Sequence, residues 1–315
     1  MTMFNSSEVT QFSLVAFRDP GMFRFLFFSV ALILYILIVF SNVLLIVVVY
    51  LSRTLHEPMY VLLCSLFLNE LWGSSAMLPF LLVQILRDAA FAPYSLCLLQ
   101  LFCVYSYASV EFTSLSVISY DRYVAICCPL EYHARMSPNK VRVLVVLIWL
   151  PPLVAVAITT ILTASLTLCG NVIDKVYCDN YCIVKLSCYD TTVNNWYELV
   201  AASLTVVAPL VVIFYTYVQI LRVCFRGSAH TRQKAVSTCA PHLGSVLNLG
   251  FGVLFEVIQT RFDTSVLPTM LRILLPVYHV TVQPLLNPLM YGLNLRQIRR
   301  QCSTIGRILL SDTLE

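Results

Sequence analysis

The chain has 315 residues, 59% of them hydrophobic and 11% charged, with a mean hydropathy of +0.83. A soluble domain averages roughly 45–50% apolar and about 25% charged residues, so this composition excludes an ordinary soluble enzyme or binding domain and indicates a membrane protein. The net charge of +4 is small and no long block of like charge occurs, which excludes nucleic acid as a partner.

Residues 1–20 lack a basic start followed by an apolar core, so no cleaved signal peptide is read there and the first span serves as the insertion signal. Asn5-Ser6-Ser7 is either a used glycosylation sequon or a chance triplet. Residues 25–51 follow, with Ser29, Ser41 and Asn42 as the only clearly polar side chains. At about 1.5 Å per residue this stretch covers roughly 40 Å, enough to cross a ~30 Å hydrocarbon core. Six further spans are predicted at approximately 59–86, 96–126, 141–166, 196–223, 235–259 and 266–293, separated by short polar, Pro-containing or charged stretches. In residues 294–315, Leu295, Ile298, Cys302, Ile305 and Ile308 recur at three- and four-residue intervals with Arg296, Arg299, Arg300 and Arg307 between them. That pattern predicts a short amphipathic helix on the inner membrane surface. The expected fold is therefore an all-α membrane protein: an N-terminal segment 1–24, a seven-transmembrane helix bundle 25–293, and a tail 294–315.

Seven spans place the two ends of the chain on opposite sides. The segments after spans one, three, five and seven carry thirteen of the twenty basic residues, from Arg53 to Arg307. Positive-inside reasoning then puts the N-terminus outside and the C-terminus in the cytoplasm of a multi-pass plasma-membrane protein.

The twelve cysteines divide by compartment. Cys64, Cys103 and Cys239 fall within spans and read as small hydrophobes. Cys127, Cys128, Cys224 and Cys302 lie near the cytoplasmic face, where disulfides are rare; Cys302 is a free thiol or an acylation site. Cys97, Cys169, Cys178, Cys182 and Cys188 lie outside, so at most two bridges form among them, with a connectivity that spacing leaves open. Four of these five sit in residues 167–195, a connection long enough to predict a lid.

Two sets of charges stand out. Asp121 and Arg122 end the third span at the cytoplasmic interface, as a hydrated anchor or as something more specific. Inside the spans fall Asn42, Asn69, Glu70, Glu111, Asn248, Glu256, His279, Gln283 and Asn287, which must face the bundle interior with partners. Glu70 and Glu111 are near the middle of spans two and three, and two buried carboxylates coexist by sharing a proton or a cation. Pro284 and Pro288 predict a kink in the last span, with freed carbonyls satisfied by neighbours, waters or side chains such as Asn287.

Tyr120-Asp121-Arg122-Tyr123-Val124-Ala125-Ile126-Cys127 resembles the third-helix signature of odorant receptors, a branch of the rhodopsin-like G-protein-coupled receptors. Leu55-His56-Glu57-Pro58-Met59-Tyr60 resembles the family's first-loop motif and Ser41-Asn42 its first-helix Asn. The stretch from Lys234 to His242, KAVSTCAPH, resembles its sixth-helix start, and that from Pro284 to Tyr291, PLLNPLMY, its seventh-helix end. The resemblance implies a receptor that binds a small odorant between the outer halves of its helices and activates a heterotrimeric G protein of the olfactory stimulatory type, raising cyclic AMP. It implies that Asp121 holds Arg122 at rest, with Tyr217 and Tyr291 as the active-state neighbours of Arg122. It pairs Cys97 with Cys178 and Cys169 with Cys188, leaving Cys182 over. It makes Glu70 and Glu111 a candidate sodium site, although the family usually has Asp at the Glu70 position. By analogy the ligand pocket includes Val104, Tyr105, Ala108, Ser109, Val253 and Val257, a small and largely apolar set. Arg261 falls where receptors of the family's fish-like class place an Arg for acidic odorants, which implies a carboxylate-bearing ligand; an ion pair with Asp263 or Glu256 is the alternative role, and Glu256 could equally bind an amine. Helix six reads Leu249-Gly250-Phe251 where the family has an aromatic pair.

Two other classes fit less well. A transporter would more often show repeated halves and interrupted helices. An enzyme is not expected, because the chain has no H-E-x-x-H, no nucleophile elbow and no phosphate-cradling Gly loop.

Overall fold

The computed structural model of the chain describes residues 9–14, 24–87, 91–173, 175–226, 229–261, 269–295 and 297–301. The sequon at Asn5 and the tail from Cys302 onward, with Ile305, Arg307 and Ile308, lie outside them.

The described chain is mostly helical. The long helices are α1 (Arg24–Leu51), α2 (Pro58–Leu86), α3 (Tyr94–Cys127), α4 (Pro138–Ala164), α5 (Thr192–Arg226), α6 (Ala229–Arg261) and α7 (Thr269–Asn294). The first five are each long and apolar enough to cross a membrane, and α6 contains a shorter apolar stretch, Cys239–Phe255. This is a helical membrane bundle. α3 is its centre: 72% of its most apolar 18 residues are buried, against 22% of those in α4. The outward faces of α1, α4 and α5 carry exposed Phe, Leu, Ile and Val, as expected where lipid rather than protein covers them. After α7, residues 297–301 are helical, with Ile298 buried and Arg299 and Arg300 exposed. This short turn is held at the Asp121 end of the bundle by Tyr60, whose hydroxyl donates to Gln297 Oε1 at 2.6 Å.

One expectation needs correction: the fold is not purely helical. Three short strands, β1 (Gln11–Leu14), β2 (Phe91–Pro93) and β3 (Val172–Ile173), form a sheet in the order β2-β1-β3. β1 runs antiparallel to β2, with Phe12 opposite Ala92, and parallel to β3, with Ser13 opposite Val172. Phe12 and Leu14 are buried, in the same apolar cluster as Val176 and Tyr177. Strands of two to four residues carry too little alternation to be read from sequence, and their pairing is non-local.

The connection between α4 and α5 folds over this end of the bundle. Disulfides join Cys97 to Cys178 and Cys169 to Cys188, with Cα separations of 5.2 and 5.1 Å. A single helical turn, Asn180–Val184, is capped by Asp179, whose Oδ2 accepts from the Cys182 amide at 3.3 Å. Cys182 is not disulfide-bonded.

Interhelical polar contacts answer the prolines. Pro288 has no N–H to offer the carbonyl of Pro284, and Asn42 Nδ2 from α1 donates to that carbonyl at 2.9 Å. Of the groups expected there, a neighbouring helix takes the role, while Asn287 donates to Glu70 and Glu111 instead. Pro152 likewise frees the carbonyl of Ile148, and Thr113 Oγ1 on α3 lies 3.0 Å from it.

Candidate functional site

Three arrangements lie along α3. At the disulfide end is a cavity of about 270 Å³ walled by α3, α4, α5, α6 and the lid. It brings together Val104, Tyr105, Ala108 and Ser109 with Val253, five of the residues singled out by sequence. The side chains of Val257, Arg261 and Glu256 lie outside the described residues. Phe112, Val156, Ala201, Ala202 and Val206 supply further apolar wall. Beside it α5 passes through a π turn, Ser203–Val207, which turns Thr205 and Val206 toward the cavity.

Sequence reasoning missed the polar part of this lining. Asp179 from the lid and Glu198 from α5 both face the cavity. Tyr105 donates to Asp179 Oδ1 at 3.0 Å, and Lys175 Nζ lies 3.4 Å from Asp179 Oδ2. Asn180 Nδ2 donates to Glu198 Oε2 at 2.9 Å, while Asn180 Oδ1 accepts from the Thr163 hydroxyl at 2.6 Å. For Asp179 the sequence signal was a group of charges in the long loop, and for Glu198 a carboxylate just inside the predicted span 196–223; which loop charge turned inward depended on the disulfide beside Asp179. A second, larger cleft of about 490 Å³ lies between the outer ends of α2 and α3, but it is edged by exposed Val83, Leu96 and Leu99 and faces the lipid side.

The middle of the bundle holds a fully buried polar hub. Asn69 Nδ2 donates to Glu111 Oε2 at 2.9 Å and to the Tyr107 carbonyl at 3.0 Å. The Tyr107 hydroxyl donates to Glu70 Oε2 at 3.0 Å. Asn287 Nδ2 bridges the two acids, donating to Glu70 Oε1 and, at 2.9 Å, to Glu111 Oε1. Gln283 Nε2 adds a donor to Glu111 Oε1 at 3.1 Å, and Ser245 donates to Asn287 Oδ1 at 2.7 Å. Helices α2, α3, α6 and α7 are thereby tied together around Glu70 and Glu111. Tyr107 reaches Glu70 only because residue 73 is glycine: a Cβ there would sit 2.3 Å from Tyr107 Cγ. Toward α6 and α7 the hub continues through Asn248 and Tyr278 to an aromatic group in which Phe251 and Phe255 pack edge-on, 4.4 Å between centroids. A Cβ at Gly250 would meet nothing within 4 Å.

At the far end of α3, Arg122 Nε donates to Asp121 Oδ2 at 2.9 Å, and a second guanidinium nitrogen completes the ion pair. Asp121 is fully buried, and its other oxygen accepts from the Tyr132 hydroxyl at 2.8 Å. Burial, the Asp121 charge and this hydrogen bond push the Tyr132 hydroxyl well above its ordinary range, so it remains a donor at any physiological pH. Sequence reasoning did not mark Tyr132, whose partner lies eleven residues earlier. Tyr217 is buried nearby, with its hydroxyl 2.8 Å from His242 Nδ1 rather than on Arg122. His242 Nε2 is 2.8 Å from the Leu115 carbonyl. A carbonyl only accepts, so Nε2 carries the proton and Nδ1 accepts from Tyr217. Tyr291 is buried, its ring edge-on to Phe67.

Residues 31–311 match the family described as "Olfactory receptor". Among similar proteins, olfactory receptor 11A1 of Homo sapiens is 34% identical over 313 residues, covering 98% of each chain. Olfactory receptor 1496 of Rattus norvegicus is 32% identical, covering 95% of this chain and 96% of its own. Olfactory receptor 1E16 of Mus musculus is 34% identical, covering 95% of each.

Proposed function

The chain belongs to the olfactory receptor family, and from that premise we propose that it is an odorant receptor that binds a small molecule in the cavity at the disulfide end and activates a G protein at the Arg122 end. In this reading all of α1 to α7 cross the plasma membrane, the N-terminus is outside and the C-terminus cytoplasmic. The G protein is of the olfactory stimulatory type and the output is cyclic AMP.

The observation that carries the proposal is that one helix joins the two ends. Ser109 lines the cavity and Arg122 carries the ion pair, thirteen residues apart, or roughly 20 Å along a single rod. A ligand that binds one arrangement of α3 and its neighbours better than another shifts the population by its differential affinity, and the Asp121–Arg122–Tyr132 cluster is where that shift exposes Arg122 to the cytoplasm. The test is a cyclic-AMP reporter in cells carrying the receptor, challenged with a panel of volatile small molecules. Ala108→Phe, which fills the cavity, should remove every response while surface delivery continues. Responses that survive this substitution would disprove the cavity as the binding site.

The hub is the site where the family's sodium ion would sit, and its residues fit one. Glu70 and Glu111 bring two carboxylates without a basic side chain among the described hub residues, and the buried Asn69 Oδ1 has no hydrogen-bond partner. An all-oxygen set of this kind suits a hard cation, which would supply the positive charge the acids lack. Sodium should then raise the melting temperature of the wild type but not of Glu70→Gln; equal shifts in both would leave a shared proton as the charge balance.

A further inference from the structure

The lipid-facing cleft between the outer ends of α2 and α3 contains an unmet hydrogen bond. Two buried carboxamides line it, Gln84 at 2% and Gln100 at 3% exposure. Gln100 is engaged at both ends: its Oε1 accepts from the Cys178 amide at 2.9 Å, and its Nε2 lies 3.4 Å from Met77 Sδ. Gln84 is engaged at one. Its Nε2 donates to the Phe91 carbonyl at 3.1 Å, and because a carbonyl only accepts, the amide group cannot be turned the other way round. Gln84 Oε1 is left without a partner among the described residues. A buried acceptor in this state calls for a donor from outside the chain.

The shape of the cleft limits what that donor belongs to. Along α2 the lining runs from Ser75 to Arg87, twelve steps of about 1.5 Å or roughly 18 Å, close to one leaflet of a ~30 Å hydrocarbon core. Pro79, Phe80, Leu96 and Leu99 give it apolar walls. Gln84 stands in the last turn of α2, so the open acceptor is at the interfacial end of the cleft and the hydrocarbon walls lie below it. A lipid that fits carries one donor at the headgroup level and a body of single-leaflet length. Phosphatidylcholine brings acceptors but no donor, and its chains lose rotational freedom in a fixed cleft. A sterol brings one hydroxyl on a rigid ring system, so little freedom is lost on entry.

We propose that this cleft, with the disulfide end of the bundle outward, is a sterol-binding site in the outer leaflet: the sterol hydroxyl donates to Gln84 Oε1 and the rings lie against Phe80 and Leu99. The cleft shares no lining residue with the cavity assigned to the odorant, so the two sites stand or fall separately.

The experiment uses the full-length chain in phosphatidylcholine nanodiscs with a photoactivatable cholesterol that keeps its hydroxyl, and mass spectrometry locates the crosslinks. Label should concentrate on residues 75–103. Cholesterol should displace it about 10-fold better than cholestenone, which has a carbonyl in place of the hydroxyl and leaves the acceptor unmet. Sphingomyelin, which has donors but flexible chains, should displace it poorly. Ala76→Trp, which fills the cleft, should remove the label from residues 75–103 while the weaker label on other lipid-facing helices remains. Gln84→Leu should make cholesterol and cholestenone equal competitors; should it fail to fold for want of the Phe91 bond, the competition on the wild type decides alone. Label spread evenly over the lipid-facing surface, or kept by Ala76→Trp, overturns the site. Equal displacement of the wild-type label by cholestenone means that water or another group meets Gln84, and equal displacement by sphingomyelin means that the cleft takes lipid chains in general; either overturns the sterol assignment.

Discussion

Asn42 in the first helix donates a hydrogen bond of 2.9 Å to the carbonyl of Pro284 in the last, 242 residues away. The bond substitutes for the one that Pro288 cannot make, so a side chain of α1 completes the backbone of α7. With no water in the surrounding hydrocarbon, nothing else would satisfy that carbonyl cheaply. Asn42→Leu should therefore cost about 1–3 kcal/mol, the penalty for an unsatisfied buried polar group. A lowered melting temperature in detergent would register it, and an unchanged one would show that the kink satisfies itself.

Gly73 makes room for the ring of Tyr107. A methyl group at that position would meet the ring at 2.3 Å, and the ring cannot retreat without giving up its bond to Glu70. Gly73→Ala is expected to destabilise by about 1–3 kcal/mol through overpacking. In a Tyr107→Leu background the same substitution should cost much less. Additive effects of the two changes would mean that they do not meet.

Tyr132 restrains Asp121, and Asp121 restrains Arg122. Removing the Tyr132 hydroxyl loses one hydrogen bond to a buried carboxylate, worth about 1.5–3 kcal/mol when the acceptor is charged. If that bond exists only in the resting arrangement, Tyr132→Phe should raise ligand-independent cyclic AMP about tenfold, limited by the assay ceiling. Basal signalling equal to wild type at matched surface level would assign the hydroxyl a purely structural role.

Arg122→Ala should abolish the response to every ligand while the receptor still reaches the surface. Arg122 is ion-paired with Asp121, and in the proposed function its guanidinium is the group that would be released when the pair opens, so the loss would belong to coupling rather than to folding. Normal signalling by this variant would exclude Arg122 from the switch.

The His242 pair offers a further check. Its two nitrogens connect Tyr217 on α5 to the Leu115 carbonyl on α3. His242→Phe keeps the packing volume but breaks both links, and should lower the melting temperature by an amount that Tyr217→Phe alone reproduces only in part. Identical losses would show that the Leu115 contact is idle.

The helices were legible because crossing a lipid core demands about twenty apolar residues in a row, and no other structural demand produces such runs. The predicted spans agree with the described helices to within a few residues at most ends; α6 departs most, starting at Ala229 rather than near 235. The Asp121-Arg122 pair, Glu70 and Glu111 were legible for the converse reason, that charge in such surroundings is costly without a task. Asn69, Gln283 and Asn287 were marked in the same way, but which of them meets which acid was not legible. Tyr132 and Gly73 carry no mark of their own, and His242 only its place in a motif, since a tyrosine, a histidine or a glycine is ordinary at any of these positions until its neighbour is known.

Composition and hydrophobic run length alone determined a helical membrane protein, and the order of its motifs pointed to its family. Only the packed structure decided that Asn42 rather than Asn287 closes the proline gap, that a three-stranded sheet seals one end, and that Asp179 and Glu198 face the cavity. Burial in lipid is a property of each segment by itself and is written locally, whereas hydrogen-bond partners in a bundle are set by where separate helices meet, which no single stretch of chain specifies.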